Sequence, residues 1–176
     1  MDKIVGYGEL MLRLTPENDD FLSTFSEKLL STYGGSEANS LSFLGRRGYN
    51  CEFLSSFPDN ELGNKATLFL NSHGVKVNAN IDHNRLGKYL AIPGTKNKPS
   101  KIIYDRKNSS FSKFKLNDKL INKTLKDCSY IIISGITPPP VSYTHLRAHE
   151  TPEHLVCPLM LEKKKGGGGG GGGGGG

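Results

Sequence analysis

Short apolar runs and amphipathic stretches alternate along the first 136 or so residues, the period of the pattern switching between that of a strand and that of a helix. Ile4 and Val5 lead into Gly6-Tyr7-Gly8-Glu9, and Met11, Leu12 and Leu14 carry the apolar pattern to Thr15-Pro16. Residues 3–14 therefore read as a strand, whose glycines mark the kind of edge that borders a ligand crevice. After a polar connection at 17–20, residues 21–33 lead to the pair Gly34-Gly35. Residues 37–46 read as a helix with Ala38, Leu41, Phe43 and Leu44 on or near one face and Gly48 closing it. A strand at 51–57 follows, then a helix at 61–72 burying Leu62, Ala66, Phe69 and Leu70 and ending at His73-Gly74, then a strand at 75–81. Strand and helix alternating at this interval predict an α/β fold with a mostly parallel sheet.

The texture then changes. Two β-like runs, 87–92 and 101–106, flank Pro93-Gly94-Thr95-Lys96-Asn97-Lys98-Pro99, which reads as a hairpin rather than another helical crossover. Such a hairpin predicts a small β flap over the edge of the main sheet. Residues 117–126 are again helical, and the continuous apolar run at 129–135 reads as a buried parallel strand.

Chemistry concentrates at Tyr33-Gly34-Gly35-Ser36-Glu37-Ala38-Asn39. Adjacent glycines leave no side chain between backbone and ligand, and the helix that starts here offers unpaired N–H groups to a polar or anionic group. An ordinary glycine turn before a capped helix has the same local pattern, so both readings stand at this level. No Gly-x-Gly-x-x-Gly fingerprint and no phosphate-loop lysine motif occurs.

Composition alters this picture little. Half of the 22 glycines form the terminal run 166–176, and nearly all of the net charge of +6 sits in residues 1–138. That modest excess suits an anionic ligand without requiring nucleic acid. Lys96, Lys98, Lys101, Arg106 and Lys107, with Tyr104 and Phe111 between them, read as a solvated face, so no nucleic-acid partner is expected. Cys51, Cys128 and Cys157 lack Cys-x-x-Cys spacing, which suits reduced thiols in the cytoplasm. Cys51 and Cys128 read as packing residues beside strands, and His73 and His83 as surface residues. Met1-Asp2-Lys3 runs straight into the first strand with no leader, and no apolar stretch reaches membrane-spanning length.

Several motifs occur in one order: Gly8-Glu9-Leu10-Met11-Leu12-Arg13-Leu14, Gly34-Gly35-Ser36-Glu37-Ala38-Asn39, Phe57-Pro58-Asp59-Asn60-Glu61-Leu62-Gly63, Gly87-Lys88-Tyr89 and Ile103-Tyr104-Asp105-Arg106. Together, from about residue 3 to residue 137, the chain resembles the ribokinase-like (PfkB) carbohydrate kinases, most closely the 2-keto-3-deoxygluconate kinase branch. The resemblance implies an α/β core over residues 1–138 with β lid elements at about 10–35 and 86–107. It implies transfer of the γ-phosphoryl group of ATP, with a divalent cation such as Mg, to a sugar or sugar acid. It sets Gly34, Gly35, Ser36, Glu37, Ala38 and Asn39 against that substrate, with Tyr89, Tyr104 and Arg106 facing it from the lid. An arginine grips a carboxylate bidentately, a tyrosine gives a ring and a hydroxyl to a sugar, and an asparagine both donates and accepts. A cytoplasmic enzyme is implied, and a homodimer formed through lid strands. Ser40-Leu41 and Asp105 depart from the pattern of many relatives, which leaves fructokinase or another sugar kinase as the alternative substrate class.

The resemblance ends after Ser134-Gly135-Ile136-Thr137-Pro138. From about Val141 the sequence looks like translated sequencing-adaptor DNA followed by Lys163-Lys164-Lys165 and the glycine run, so 139–176 reads as a non-native, disordered tail. His145, His149, His154 and Cys157 make a poor metal site, and no metal ligand is assigned. The resemblance places the catalytic aspartate and the ATP site in a C-terminal half that is missing here. No Gly-x-Gly-Asp sequence occurs, so no catalytic residue is assigned, and an inactive fragment that at most binds a sugar acid is expected. The apolar strand near 130–136 is further expected to present an aggregation-prone edge.

Overall fold

The computed structural model describes residues 2–17 and 28–134. In chain order it forms β1 (Lys3–Tyr7), β2 (Met11–Pro16), β3 (Leu29–Gly34), α1 (Ser36–Gly45), β4 (Asn50–Pro58), α2 (Glu61–Ser72), β5 (Val75–Asp82), β6 (Lys88–Ile92), β7 (Lys101–Asp105), α3 (Ser110–Lys113), α4 (Asp118–Leu125) and β8 (Cys128–Ile132). The strands make two sheets of four, ordered β5-β4-β1-β8 and β3-β2-β6-β7. All pairings in the first sheet are parallel.

Residues 3–14 are therefore two strands in two sheets, not one. β1 runs through the core with Val5 and Tyr7 at most 2% exposed. The chain leaves it at Gly8, whose carbonyl accepts the Ser55 hydroxyl at 2.8 Å and whose N–H reaches Leu54 O at 3.3 Å. Beyond that anchor, β2 pairs antiparallel with β3 from Met11↔Gly34 to Pro16↔Leu29. Strand β3 carries no signal in the hydrophobic pattern because Leu29, Leu30, Ser31 and Thr32 are all exposed on the edge of the second sheet. β6 and β7 form the antiparallel hairpin that the turn residues predict, and β6 lies parallel to β2.

The main sheet is covered on both faces. On β4 the alternation sends Cys51, Phe53 and Phe57 into a cluster with Ala38, Leu41, Ala66 and Leu70 from α1 and α2. Leu54 joins Val5, Tyr7 and Phe111 in a second cluster, flanked by Phe114, Leu116 and Leu120 around α3 and α4. Each such aromatic side chain contributes about 1.5–3 kcal/mol when removed from water. The short helix α3 is absent from the sequence reading; Ser109 caps it, accepting the Ser112 N–H, and Phe111 lies 5.4 Å from the Tyr7 ring between centroids.

Helix α2 keeps its expected bounds, with Asn60 Oδ1 accepting the N–H groups of Leu62 and Gly63. Two residues assigned to buried faces point outward: Leu62 is 43% exposed and Phe43 57%. The Arg47 guanidinium covers the Phe43 ring at 3.5 Å, which accommodates an aromatic side chain at that position. β8 is half-buried rather than buried, with Tyr130 exposed, because it is the last strand of the main sheet among the described residues. Cys51 is buried and Cys128 only partly so. His83 is exposed, whereas His73 is half-buried on Phe69, its Nδ1 2.6 Å from the Phe69 carbonyl. Among the described residues no helix is long and apolar enough to cross a membrane. The expected change of sequence character after 138, and the histidines and cysteine beyond it, lie outside the described residues.

Candidate functional site

A cleft of about 130 Å³ opens where the second sheet meets the start of α1. Its core-side wall is Gly35, Ser36, Glu37 and Asn39, with Ser134 beyond the end of β8. Its other wall comes from the second sheet: Met11 on β2, Tyr89 on β6, Ile102 and Tyr104 on β7, and Arg106 just past it. Glu9, in the crossing between β1 and β2, completes it.

No side chain caps α1, whose N-cap residue is Gly35. The N–H groups of a first helical turn have no intrahelical acceptor, so this end of the cleft favours polar or anionic groups. The helix thus begins on a glycine N-cap that brings no side-chain acceptor. Glu37, although it lines the cleft, is 4% exposed and its Oε1 accepts the Ser134 N–H at 2.7 Å. It fastens α1 to the segment after β8.

Strand alternation decides the opposite wall. Ile102 and Tyr104 share the cleft face of β7, and Tyr104 stands opposite Tyr89 with ring centroids 5.8 Å apart. Asp105 points to the other face, where it meets Arg85 and Lys88; those two cations hold its carboxyl below the ordinary range, with the Arg85 hydrogen bond the larger cause. Burial pushes the Tyr89 hydroxyl up, opposed by the charge of Arg13. The departures noted in the sequence thus stay clear of the cleft: Asp105 faces away, Ser40 donates to Ser36 O on the exposed side of α1, and Leu41 is core.

Of the nine residues singled out from the sequence, seven come together here: Gly35, Ser36, Glu37, Asn39, Tyr89, Tyr104 and Arg106. Gly34 and Ala38 do not line the cleft. Ala38 is 1% exposed and packs into the core with Leu41. Gly34 lies beneath the Tyr89 hydroxyl, where a Cβ would collide with it. A bare backbone there leaves room for the tyrosine. Glu9, Met11, Ile102 and Ser134 were missed. Ile102 was within reach, as the period-two mate of Tyr104, and Glu9 as a carboxylate directly after a glycine at the end of a strand.

Glu9 is the most constrained of these. It is 6% exposed, and its Oε2 accepts the Arg106 Nε at 2.6 Å while its Oε1 accepts the Ser109 hydroxyl at 2.7 Å. Among the described residues no group of three or more His, Cys, Asp or Glu side chains gathers to hold a metal. The cleft has one guanidinium, paired with Glu9, and two carboxylates, Glu9 and Glu37, among its described residues. That donor set does not fit a triphosphate with its cation.

Residues 1–151 match the pfkB family of carbohydrate kinases. A curated relative, the 2-dehydro-3-deoxygalactonokinase of Haloferax volcanii, is 31% identical over 137 residues, covering 77% of this chain and 42% of that protein. The solved 2-dehydro-3-deoxygluconokinase of Thermotoga maritima superimposes with a TM-score of 0.74 at 35% identity, over 83% of this chain and 46% of that one. A putative ribokinase II of E. coli, solved in complex with ATP and Mg²⁺, shares the fold at 19% identity and a TM-score of 0.64, over 84% of this chain and 50% of that one. The chain thus spans less than half the length of the curated relative it matches.

Proposed function

This chain belongs to the pfkB family of carbohydrate kinases and has their ribokinase-like α/β fold, and from that premise we propose that the whole protein phosphorylates a 2-keto-3-deoxy sugar acid, with 2-keto-3-deoxygluconate the first candidate. The observation that carries this reading is Arg106 on the cleft wall beside the paired rings of Tyr89 and Tyr104. A guanidinium is charged at every physiological pH and matches the planar carboxylate of a sugar acid. The tyrosine rings give an apolar bed for the carbon chain, and Asn39 with the first turn of α1 supplies donors for its hydroxyls. A neutral hexose offers Arg106 hydroxyl oxygens but no anion to match its charge, which places fructose second. The names of two relatives, one a galactonate-type and one a gluconate-type kinase, support the same substrate class.

ATP with a divalent cation supplies the phosphoryl group in the reaction this family implies. On this reading the cleft residues hold the acceptor sugar. With no Gly-x-Gly-Asp sequence in its 176 residues, this chain is expected to hold the sugar acid without phosphorylating it. Calorimetric titration of the 176-residue chain with 2-keto-3-deoxygluconate and with fructose tests the substrate class: binding of the acid alone supports it, and tighter binding of fructose overturns it. ADP release that depends on the sugar acid would refute the expectation of inactivity.

A further inference from the structure

We propose that Glu9 is the positioning residue for Arg106: it sets the guanidinium on the cleft wall, and Ser109 and Gly87 in turn seat Glu9. This rests on the sugar-acid reading for its consequence, but its geometry stands apart from that reading. Arg106 follows the last residue of β7, outside the strand ladder, in a turn closed by the Ser109 N–H on the Arg106 carbonyl at 3.1 Å. Asn108 within that turn has φ +58. Backbone pairing therefore does not aim this long side chain. Its Nε is instead held at 2.6 Å by a carboxylate 97 residues earlier, whose side chain is 4% exposed against 25% for Arg106.

The carboxylate is itself gripped from two further sides. The Ser109 hydroxyl donates to its second oxygen at 2.7 Å while accepting the Ser112 N–H as the cap of α3. A serine hydroxyl has one proton and two lone pairs, so it can do both at once. At Gly87 a Cβ would collide with the same carboxylate oxygen and stand 3.1 Å from its carbon; the bare glycine leaves that oxygen its place. A negative group lining a cleft meant for an acid would repel the ligand if it stood alone. Paired with Arg106, it neutralises that repulsion and fixes the orientation of the one guanidinium that lines the cleft among the described residues.

The test labels arginines of the folded 176-residue chain with phenylglyoxal and maps each site by mass spectrometry. A carboxylate that accepts the guanidinium N–H covers it and hinders attack by the reagent. Glu9→Gln is expected to speed labelling at Arg106 about tenfold, the loss of one charged hydrogen bond, with Arg13, Arg46 and Arg85 unchanged. A general structural loss would raise all four together. If Glu9→Gln fails to fold, Ser109→Ala decides by the same ratio, with an expected increase of about threefold. Equal Arg106 rates in wild type and a folded variant overturn the proposal. The same variants are titrated with 2-keto-3-deoxygluconate, where about a tenfold weaker affinity is expected for Glu9→Gln. An Arg106 response with unchanged affinity overturns the positioning role. An Arg106 response in a chain whose wild type binds no sugar acid supports the positioning and refutes the substrate instead.

Discussion

The phenolic hydroxyl of Tyr89 lies over Gly34, so close that a methyl group on Gly34 would overlap the oxygen, while the ring carbon bearing it would stand at 3.4 Å. The conflict is with one atom. Gly34→Ala is expected to cost about 1–3 kcal/mol of stability by forcing the ring aside. Tyr89→Phe, which removes that oxygen, should make Gly34→Ala nearly neutral, since 3.4 Å is an ordinary carbon contact. A double-mutant cycle by thermal or urea unfolding measures this coupling. Additive effects of the two changes would contradict it.

Glu52 on β4 is 5% exposed and lies between Lys76 at 3.0 Å and Lys3 at 3.3 Å. Burial pushes its carboxyl up, but the hydrogen bonds and charges of Lys76 and Lys3 together outweigh that and leave it below the ordinary glutamate value of 4.5. A folded-state pKa below the unfolded one means that the stabilisation is full above the unfolded value and is lost as pH falls through the folded value. Melting temperature should therefore drop below about pH 4.5. Glu52→Gln should lower stability at pH 7 by about 1–3 kcal/mol, because Lys3, 12% exposed, loses its anion while Lys76, 67% exposed, stays solvated, and should flatten the acid limb of the profile.

Tyr33 ties the second sheet to the core. Its hydroxyl donates to the Leu62 carbonyl at 3.3 Å and its ring lies 5.3 Å from Phe69 between centroids. Tyr33→Phe removes one partly exposed hydrogen bond and should cost about 1 kcal/mol or less, whereas Tyr33→Ala also empties the ring's place, at about 3 kcal/mol. Hydrogen exchange should accelerate first in β3 and β2 and leave β4 protected. Uniform acceleration across both sheets would show that the tie is not local.

Arg106→Lys keeps the charge and discards the fork. If the planar geometry is what reads the ligand, sugar-acid affinity should fall about tenfold in this variant. Arg106→Gln should lose more, while neutral-sugar binding stays as it was. Calorimetry with both ligands checks it, and a lysine variant with full affinity would mean that charge alone suffices.

Much of this protein was legible from local sequence. The bounds of α2 follow from Asn60 before it and His73-Gly74 after it, and the hairpin of β6 and β7 follows from the Pro-Gly-rich connection between two β-prone runs. Such signals act over a few residues, where capping, turn geometry and side-chain period operate. The gathering of Tyr104 and Arg106 with Gly35, Ser36, Glu37 and Asn39 at one cleft needed the resemblance to suggest it and the fold to build it.

Tertiary structure alone decided the rest. A continuous apolar pattern over 3–14 cannot say that the chain changes sheets at Gly8; the Ser55 hydroxyl and β3, brought from elsewhere, do that. Nor can spacing reveal that Gly34 lies under the Tyr89 hydroxyl, or that Asp105 faces away from the cleft. The bond from Glu9 to Arg106 spans 97 residues. Its partners are selected by the closure of two sheets, and that is a property of the packed chain, not of any stretch within it.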